Sequence, residues 1–417
     1  MTIIYLTSIC PLESEGEAGN TTLFELLKQN LMLRQDSIVL IYLNNIPCDK
    51  HIFLKSEKKL NKFGTIKFKN FSYLLNSRKF VKKKFSYLSK LFAPDNKVLD
   101  HYFNKSEIIE TINDSHPKKI IFFWDTILEP IAPHLSDYIT IYYGARPPFA
   151  AFKDSIEKRK ITFKNFFNII VDKILLKRKE KIHFKNIQNI KKIYNISNLD
   201  VKFYKKNKIN CEYLPNTTKD KFSLKWKENI KLKNRFPTLL GSISNINATG
   251  NNQAISFLND KLFYEIKKKN LDKKFKILIT GKGKLNPNME NIKNSNIFEI
   301  LGFVEDLDKT ICSSDIILML NNFGSYTGGY TRVINFFSAA KCMIAGKNLY
   351  KDMPEVRHNY NCLLANNSEE VVAFIMNLLK DNALRERISR NARNTFEEKY
   401  ISKRIVKKLI NSKYESE

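Results

Sequence analysis

Long apolar runs are missing from this chain of 417 residues: none approaches the ~18 residues that a membrane-spanning helix needs. No basic segment precedes the first apolar residues, so an export signal is not expected either. The six cysteines, at 10, 48, 211, 312, 342 and 362, include no C-x-x-C pair. Several sit in apolar surroundings, where a thiol behaves as a small hydrophobe, which predicts reduced cysteines and the cytoplasm. Glycine is scarce, at 13 residues, and acidic side chains are outnumbered 42 to 71 by Lys and Arg.

The resulting net charge of +29 suits a polyanionic partner, an anionic membrane surface or a negatively charged substrate. Part of it reflects a bias toward Lys, Asn and Ile together, which an AT-rich genome produces without selection for binding. The aromatics lie in apolar strands rather than interleaved with lysine, and no nucleic-acid module is visible, which argues against a nucleic-acid partner. With 43% hydrophobic residues the chain folds, and its length exceeds one compact core, predicting two domains of roughly 200 residues each.

Three of the glycines, Gly324, Gly328 and Gly329, fall in one loop. It sits inside Leu301–Glu355, a stretch whose hydrophobic period reads strand, helix, strand, loop, helix, strand. The strand before it is apolar, and Thr331-Arg332 opens an apolar helix behind it. A helix N-terminus carries unpaired N–H groups and the positive end of the dipole, and glycine lets a ligand approach the backbone. Arg332 adds a full charge. A phosphate site and a tight connection with a surface arginine are equally compatible with this segment alone.

The N-terminus repeats the pattern. Thr2–Thr7 is a strand, PLESEGEAGN a loop and TTLFELLKQNLMLR a helix capped by Asn20, Thr21 or Thr22. Gly16 and Gly19 make that loop pliable, and its three glutamates favour sugar hydroxyls over a diphosphate as guest. Later strands end at Asp125 and at Gly144-Ala145-Arg146. The carboxyl ends of strands in an open α/β sheet face the ligand crevice, so Asp125, Tyr143 and Arg146 are candidates. Capping and strand termination are the ordinary roles for the same residues. Lys153–Lys192 reads as helical and dense in Lys and Arg, the best membrane-surface candidate in the chain. Cys211–Asn216 closes the first half and the lysine-rich Lys219–Lys233 suits a linker. Beyond it the βαβ alternation restarts with a strand at Phe236–Ile243 and continues through Gly281-Lys282-Gly283-Lys284. Ser368 caps a long helix, and Phe396–Ile410 is a last helix long enough to return to the first domain.

GSI and a polar loop, then LITGKG, FEILGFVEDLDKTICSSDIILMLN, TRVINFFSAAKCMIAG, MPEVRHNYNCLLA and LLKDNALRERISRNARNTFEEKY, resemble in their order glycosyltransferase family 4 (glycosyl transferases group 1). The resemblance covers about Phe236–Tyr400; the first half matches through PLESEGEAGN and NCEYLPN. It implies an α/β, GT-B fold: two Rossmann-like domains with a cleft between them and a C-terminal helix crossing back. The expected boundaries are residues 1–218 for the acceptor domain, 219–234 for the linker, 235–395 for the donor domain and 396–417 for the returning helix.

The resemblance further implies sugar transfer from a nucleotide sugar to a glycan or lipid-linked acceptor in bacterial surface polysaccharide synthesis, with retention. It implies no metal and no cofactor beyond the nucleoside-diphosphate sugar that serves as donor substrate. Arg332 would stabilise the departing diphosphate, with Lys282 a second cation and Asp125 on the catalytic side of the first domain. Phe303-Val304 backbone would meet the base, Tyr326-Thr327-Gly328-Gly329 and Thr331 the donor sugar, and Asn335 the ribose. Gly16, Gly19, Asn20, Tyr143 and Arg146 would form the acceptor loop. The family's two glutamates, eight positions apart, are replaced by Thr327 and Asn335, and Ser242 stands where a basic pair often follows. The protein is expected in the cytoplasm, peripheral on the inner face of the cytoplasmic membrane. An inverting transferase, a sugar-nucleotide epimerase, an inactive homologue and a basic polyanion-binding protein are the competing readings.

Overall fold

The computed structural model describes residues 2–13, 18–33, 36–44, 50–72, 103–125, 127–157, 159, 162, 166–230, 236–242, 245–323 and 330–411. The chain divides into two compact units, 1–214 with 405–417, and 215–404.

In the first unit, strands β1 (Thr2–Thr7), β2 (Ser37–Asn44), β3 (Ile66–Ser72), β4 (Lys119–Phe123), β5 (Ile139–Gly144), β6 (Lys192–Asn195) and β7 (Cys211–Tyr213) form one sheet in the order β3-β2-β1-β4-β5-β6-β7. Every pairing is parallel, with Ile4 opposite both Val39 and Ile120. Strands buried on both faces must be apolar throughout, which is why β1 and β4 read as unbroken runs. Helix Phe166–Ile187 turns Ile169, Val171, Leu175 and Ile182 inward. A wholly buried polar chain ties it down: the Tyr142 hydroxyl donates to Glu129 (2.8 Å), whose other oxygen pairs with His183 Nδ1 (2.7 Å), and His183 Nε2 meets the Tyr204 hydroxyl (2.9 Å).

The second unit holds β8 (Thr238–Ser242), β9 (Lys276–Thr280), β10 (Phe298–Gly302), β11 (Ile316–Met319), β12 (Met343–Gly346) and β13 (Leu363–Ala365), in the order β10-β9-β8-β11-β12-β13. Alternate residues serve opposite cores: Leu239, Ile277 and Ile316 pack on one face, and Leu240, Leu278 and Ile317 on the other. Residues 215–404 belong to this unit. Phe222 is part of its core, and the Thr217 hydroxyl donates to the Tyr400 carbonyl at 2.6 Å.

Four buried cations sit on the last carbonyls of helices, where the dipole is negative and acceptors lack intrahelical partners. Lys119 donates to Ile410, Lys341 to Cys312 and Ser314, Arg385 to Leu378, and Arg393 to Ser338. Part of the large positive charge is therefore internal and structural.

Two local expectations are corrected. The cap of helix Ser368–Lys380 is Asn367, whose side chain accepts from Glu370 N–H at 2.9 Å, because an asparagine one position earlier reaches the same donor. The last helix is not continuous from Phe396. Its first turn, Phe396–Tyr400, is wound wide and ends at Ile401 in extended backbone, and Ser402–Asn411 starts afresh.

Candidate functional site

In each sheet the strand order reverses beside the first strand, between β1 and β4 in one unit and between β8 and β11 in the other. The two connections leaving such a pair run to opposite faces and open a crevice at the strands' carboxyl ends.

In the second unit that crevice lies between helix Thr249–Phe257, which follows β8, and helix Tyr330–Ser338, which follows β11. Leu240, Gly241, Asn251, Asn321, Arg332 and Phe336 are among the residues lining it. Gly241 has no room for a side chain, since a Cβ would stand 2.6 Å from the Ile277 methyl. Phe257 stacks on Phe323 at 4.2 Å and joins the helix after β8 to the turn after β11.

Arg332, the third residue of its helix, donates from Nη1 to Asn251 Oδ1 at 2.5 Å. Asn251 is buried and donates in turn to the Asn245 carbonyl at 2.6 Å. Ile246 N–H next bonds the Lys282 carbonyl at 2.8 Å, and the Lys282 ammonium lies 4.7 Å from the centre of the exposed Phe303 ring. Arg332 is thus linked through the turn after β8 to Lys282 and Phe303, while Val304 is half-buried. The Thr331 hydroxyl accepts from buried Asn216 at 2.8 Å, pinning the helix start to the segment that opens the unit. Asn335 is half-buried on the next turn. Tyr326, Thr327, Gly328 and Gly329 lie outside the described residues.

Asn321 is only 1% exposed, and neither end of its amide has a hydrogen-bond partner. A buried unpaired amide costs about 1–3 kcal/mol, which makes this orphan on the crevice wall a candidate for bonding a ligand. Sequence reasoning passed over Asn321, Asn251 and Asn216. In so asparagine-rich a chain nothing marks these three, although Asn321 does stand at the end of an apolar strand.

The equivalent place in the first unit gathers Gly19, Asn20, Asp125 and Tyr143. A Cβ on Gly19 would lie 3.1 Å from Ile9 and 3.3 Å from the Trp124 ring, so the helix start rests directly on Trp124. Asn20 donates to the Cys10 carbonyl at 2.7 Å. Trp124 carries φ of 46°, costly for a bulky residue, and its N–H is held by the Tyr143 carbonyl at 2.8 Å while its indole N–H has no partner. Tyr143 itself is buried against Phe123 and Trp124. Arg146 is half-buried just beyond β5, and Gly16 lies outside the described residues.

Asp125 is fully buried, and its Oδ1 accepts from Ile127 and Leu128 N–H, both at 2.7 Å. That geometry favours shaping the turn after β4 over touching a substrate. Desolvation pushes its carboxyl up to about 6, against the lowering by the Leu128 N–H, the Ser8 hydroxyl and the Ile127 N–H. The folded state therefore holds this proton more tightly than the unfolded chain. The contribution to stability is full below pH ~4 and is lost as pH rises through ~6, a change of about 3 kcal/mol for the first unit. Asp125→Asn, which keeps the acceptor and cannot ionise, is expected to flatten that slope in urea titrations at stepped pH; an unchanged slope would assign it to other groups.

Among the described residues no group of three His, Cys, Asp or Glu is arranged to hold a metal.

Residues 237–381 match the family model of glycosyl transferases group 1. Among solved structures, HepE of Anabaena, in complex with UDP and glucose, is similar over 98% of each chain, at 12% identity and a TM-score of 0.59. A glycosyltransferase of Rickettsia africae is similar over 99% of each chain, at 15% identity and a TM-score of 0.59. WaaG, a glycosyltransferase involved in lipopolysaccharide biosynthesis, is similar over 99% of this chain and 100% of its own, at 10% identity and a TM-score of 0.58. No curated protein matches the chain. Two parallel-sheet units of this topology are the fold of the GT-B glycosyltransferases. The family match lies within the second unit, over residues 237–381.

Proposed function

We propose that the second unit binds a nucleoside-diphosphate sugar and that its glycosyl group passes to a glycan or lipid-linked acceptor, in the synthesis of a bacterial surface polysaccharide. The observation that carries the reading is Arg332 at a helix N-terminus, clamped by Asn251 and lining the β8/β11 crevice together with the orphaned amide of Asn321. Cleaving the sugar–phosphate bond leaves two electrons and a negative charge on the departing diphosphate. First-turn N–H groups and the Arg332 guanidinium stabilise that charge as it develops. Lys282 adds a second cation, the exposed Phe303 ring a face for the base, and Asn335 a donor and acceptor for ribose hydroxyls. Thr331 and the Tyr326–Gly329 loop attend the sugar, and the loop starting at Gly16, Gly19 and Asn20 together with Arg146 attends the acceptor. Asp125 and Tyr143 support that acceptor surface from beneath.

The similar structures support this direction: HepE is seen with UDP and glucose, and WaaG is involved in lipopolysaccharide biosynthesis. The reading includes transfer with retention at the anomeric carbon, and residence at the inner face of the cytoplasmic membrane. No helix among the described residues is long and apolar enough to cross a membrane, so any membrane attachment by these helices is from one side.

A thermal-shift screen of UDP, GDP, CMP and dTDP sugars tests it. At a hundredfold excess over Kd, a ligand of the folded state adds about 2.7 kcal/mol, or roughly 5–10 °C in the second unit's transition. One nucleotide is expected to do this. The reading fails if none does and no labelled sugar is transferred from any of them. NMR of the product anomer then separates retention from inversion.

A further inference from the structure

Helix Phe166–Ile187 carries an unusual outward face. Phe166, Phe167, Ile170 and Ile174 are 55%, 58%, 39% and 49% exposed. Phe166, Ile170 and Ile174 recur at i, i+4 and i+8, with Phe167 beside them, so the four form one stripe on the helix's first half. Its second half continues the same face with exposed Lys177, Lys181 and Lys185, flanked by Lys173. At 22 residues the helix is about 33 Å long. Its opposite face is locked into the first unit by Ile169, Val171, Leu175 and Ile182, by the Arg159–Asp172 ion pair at 2.5 Å, and by the buried Glu129–His183–Tyr204 chain. The stripe is therefore presented on a fixed base.

The geometry points to this helix as a membrane-docking element: its apolar first half enters the acyl boundary of an anionic leaflet, and the four lysines lie on the lipid phosphates. Resting on the glycosyl-transfer reading for its purpose, this names the surface that would hold the enzyme at a lipid-linked acceptor. Charge complementarity selects the partner. A line of ammonium groups continuing an apolar stripe matches an interface in which hydrocarbon and phosphate lie within one helix diameter. A hydrophilic polyanion would leave the four apolar side chains with nothing to bury, and the helix is too polar to span the bilayer.

Flotation of the full chain with vesicles tests the assignment. Binding is expected to vesicles of equal parts phosphatidylcholine and phosphatidylglycerol, and not to phosphatidylcholine alone. Each lysine near the surface is worth roughly fivefold in partitioning, so replacing Lys173, Lys177, Lys181 and Lys185 by Gln is expected to weaken binding several hundredfold. Phe166→Ser and Phe167→Ser, at exposed positions, are expected to cost roughly tenfold each without lowering the melting temperature. Absence of vesicle binding overturns the proposal. So does binding that ignores the Phe substitutions and is matched by a soluble sulfated glycan, or a stripe-dependent dimer in lipid-free sedimentation. The nucleotide screen is read separately: vesicle binding without any nucleotide response retains the docking surface and removes the transferase reading, and the reverse result does the opposite.

Discussion

Arg332→Ala is expected to lower kcat for sugar transfer by about 10²–10³-fold, the usual cost of losing one preorganised donor to charge that develops in a transition state. The guanidinium is placed before the reaction, because Asn251 on the facing helix accepts its bond and is itself anchored to the Asn245 carbonyl. It adds its charge to the positive end of helix Tyr330–Ser338, so no reorganisation is needed when the diphosphate departs. If the contact forms mainly as the bond breaks, kcat and kcat/KM fall together and KM stays. Arg332→Lys retains the charge but loses the fork that engages Asn251 and phosphate together, and should recover only part of the rate. Arg332 is half-buried, and the melting temperature of the alanine variant is expected near that of the parent. Turnover equal to the parent in a radiolabelled-sugar assay would remove Arg332 from the diphosphate.

Arg393→Ala is expected to destabilise the second unit by about 1.5–3 kcal/mol, the cost of losing charge-assisted hydrogen bonds from an enclosed arginine to partly exposed carboxylates. Its guanidinium is almost wholly enclosed. Nη1 and Nη2 engage Asp220 at 2.9 and 2.6 Å, Nε engages Glu397 at 2.7 Å, and Nη1 also donates to the Ser338 carbonyl at 2.6 Å. The residue thereby joins the segment entering the unit, the end of helix Tyr330–Ser338 and its own helix. Deleting it leaves the half-buried Asp220 carboxylate unpaired and the Ser338 carbonyl without its donor. Asp220→Ala combined with Arg393→Ala should cost less than the sum of the single changes, because the second deletion removes the charge left by the first. Guanidinium denaturation followed by circular dichroism reads both, and a loss under about 1 kcal/mol would show the cluster to be solvated in solution.

Much of this molecule follows from local pattern. The unbroken apolar runs of β1, β4 and β11 announce a parallel sheet covered on both faces, and the apolar helix opening at Thr331-Arg332 is found within a residue of its expected start. Local pattern was weaker at ends. Ile401 interrupts what reads as one helix, and Asn367 caps where Ser368 was the natural candidate. The basic character of Lys153–Lys192 was visible, but not which of its lysines share a face with exposed phenylalanines, because exposure depends on what the rest of the unit covers. Asp125 looked like a crevice acid; its burial and its two backbone bonds came from the turn that folds over it.

By itself, then, the sequence determined the class of fold and the helix that carries Arg332. Each of these depends on the spacing of residues within a few turns or one strand, and spacing is written along the chain. Tertiary structure alone decided what surrounds Arg332: Asn251 lies 81 residues away, and Asn216 reaches Thr331 across 115. It likewise joined Arg393 to Asp220 across 173 residues. Arg332 and Asn251 meet because β8 and β11 are neighbours in a sheet whose order differs from chain order. No periodicity records that adjacency, since it arises only when separate apolar faces are buried together.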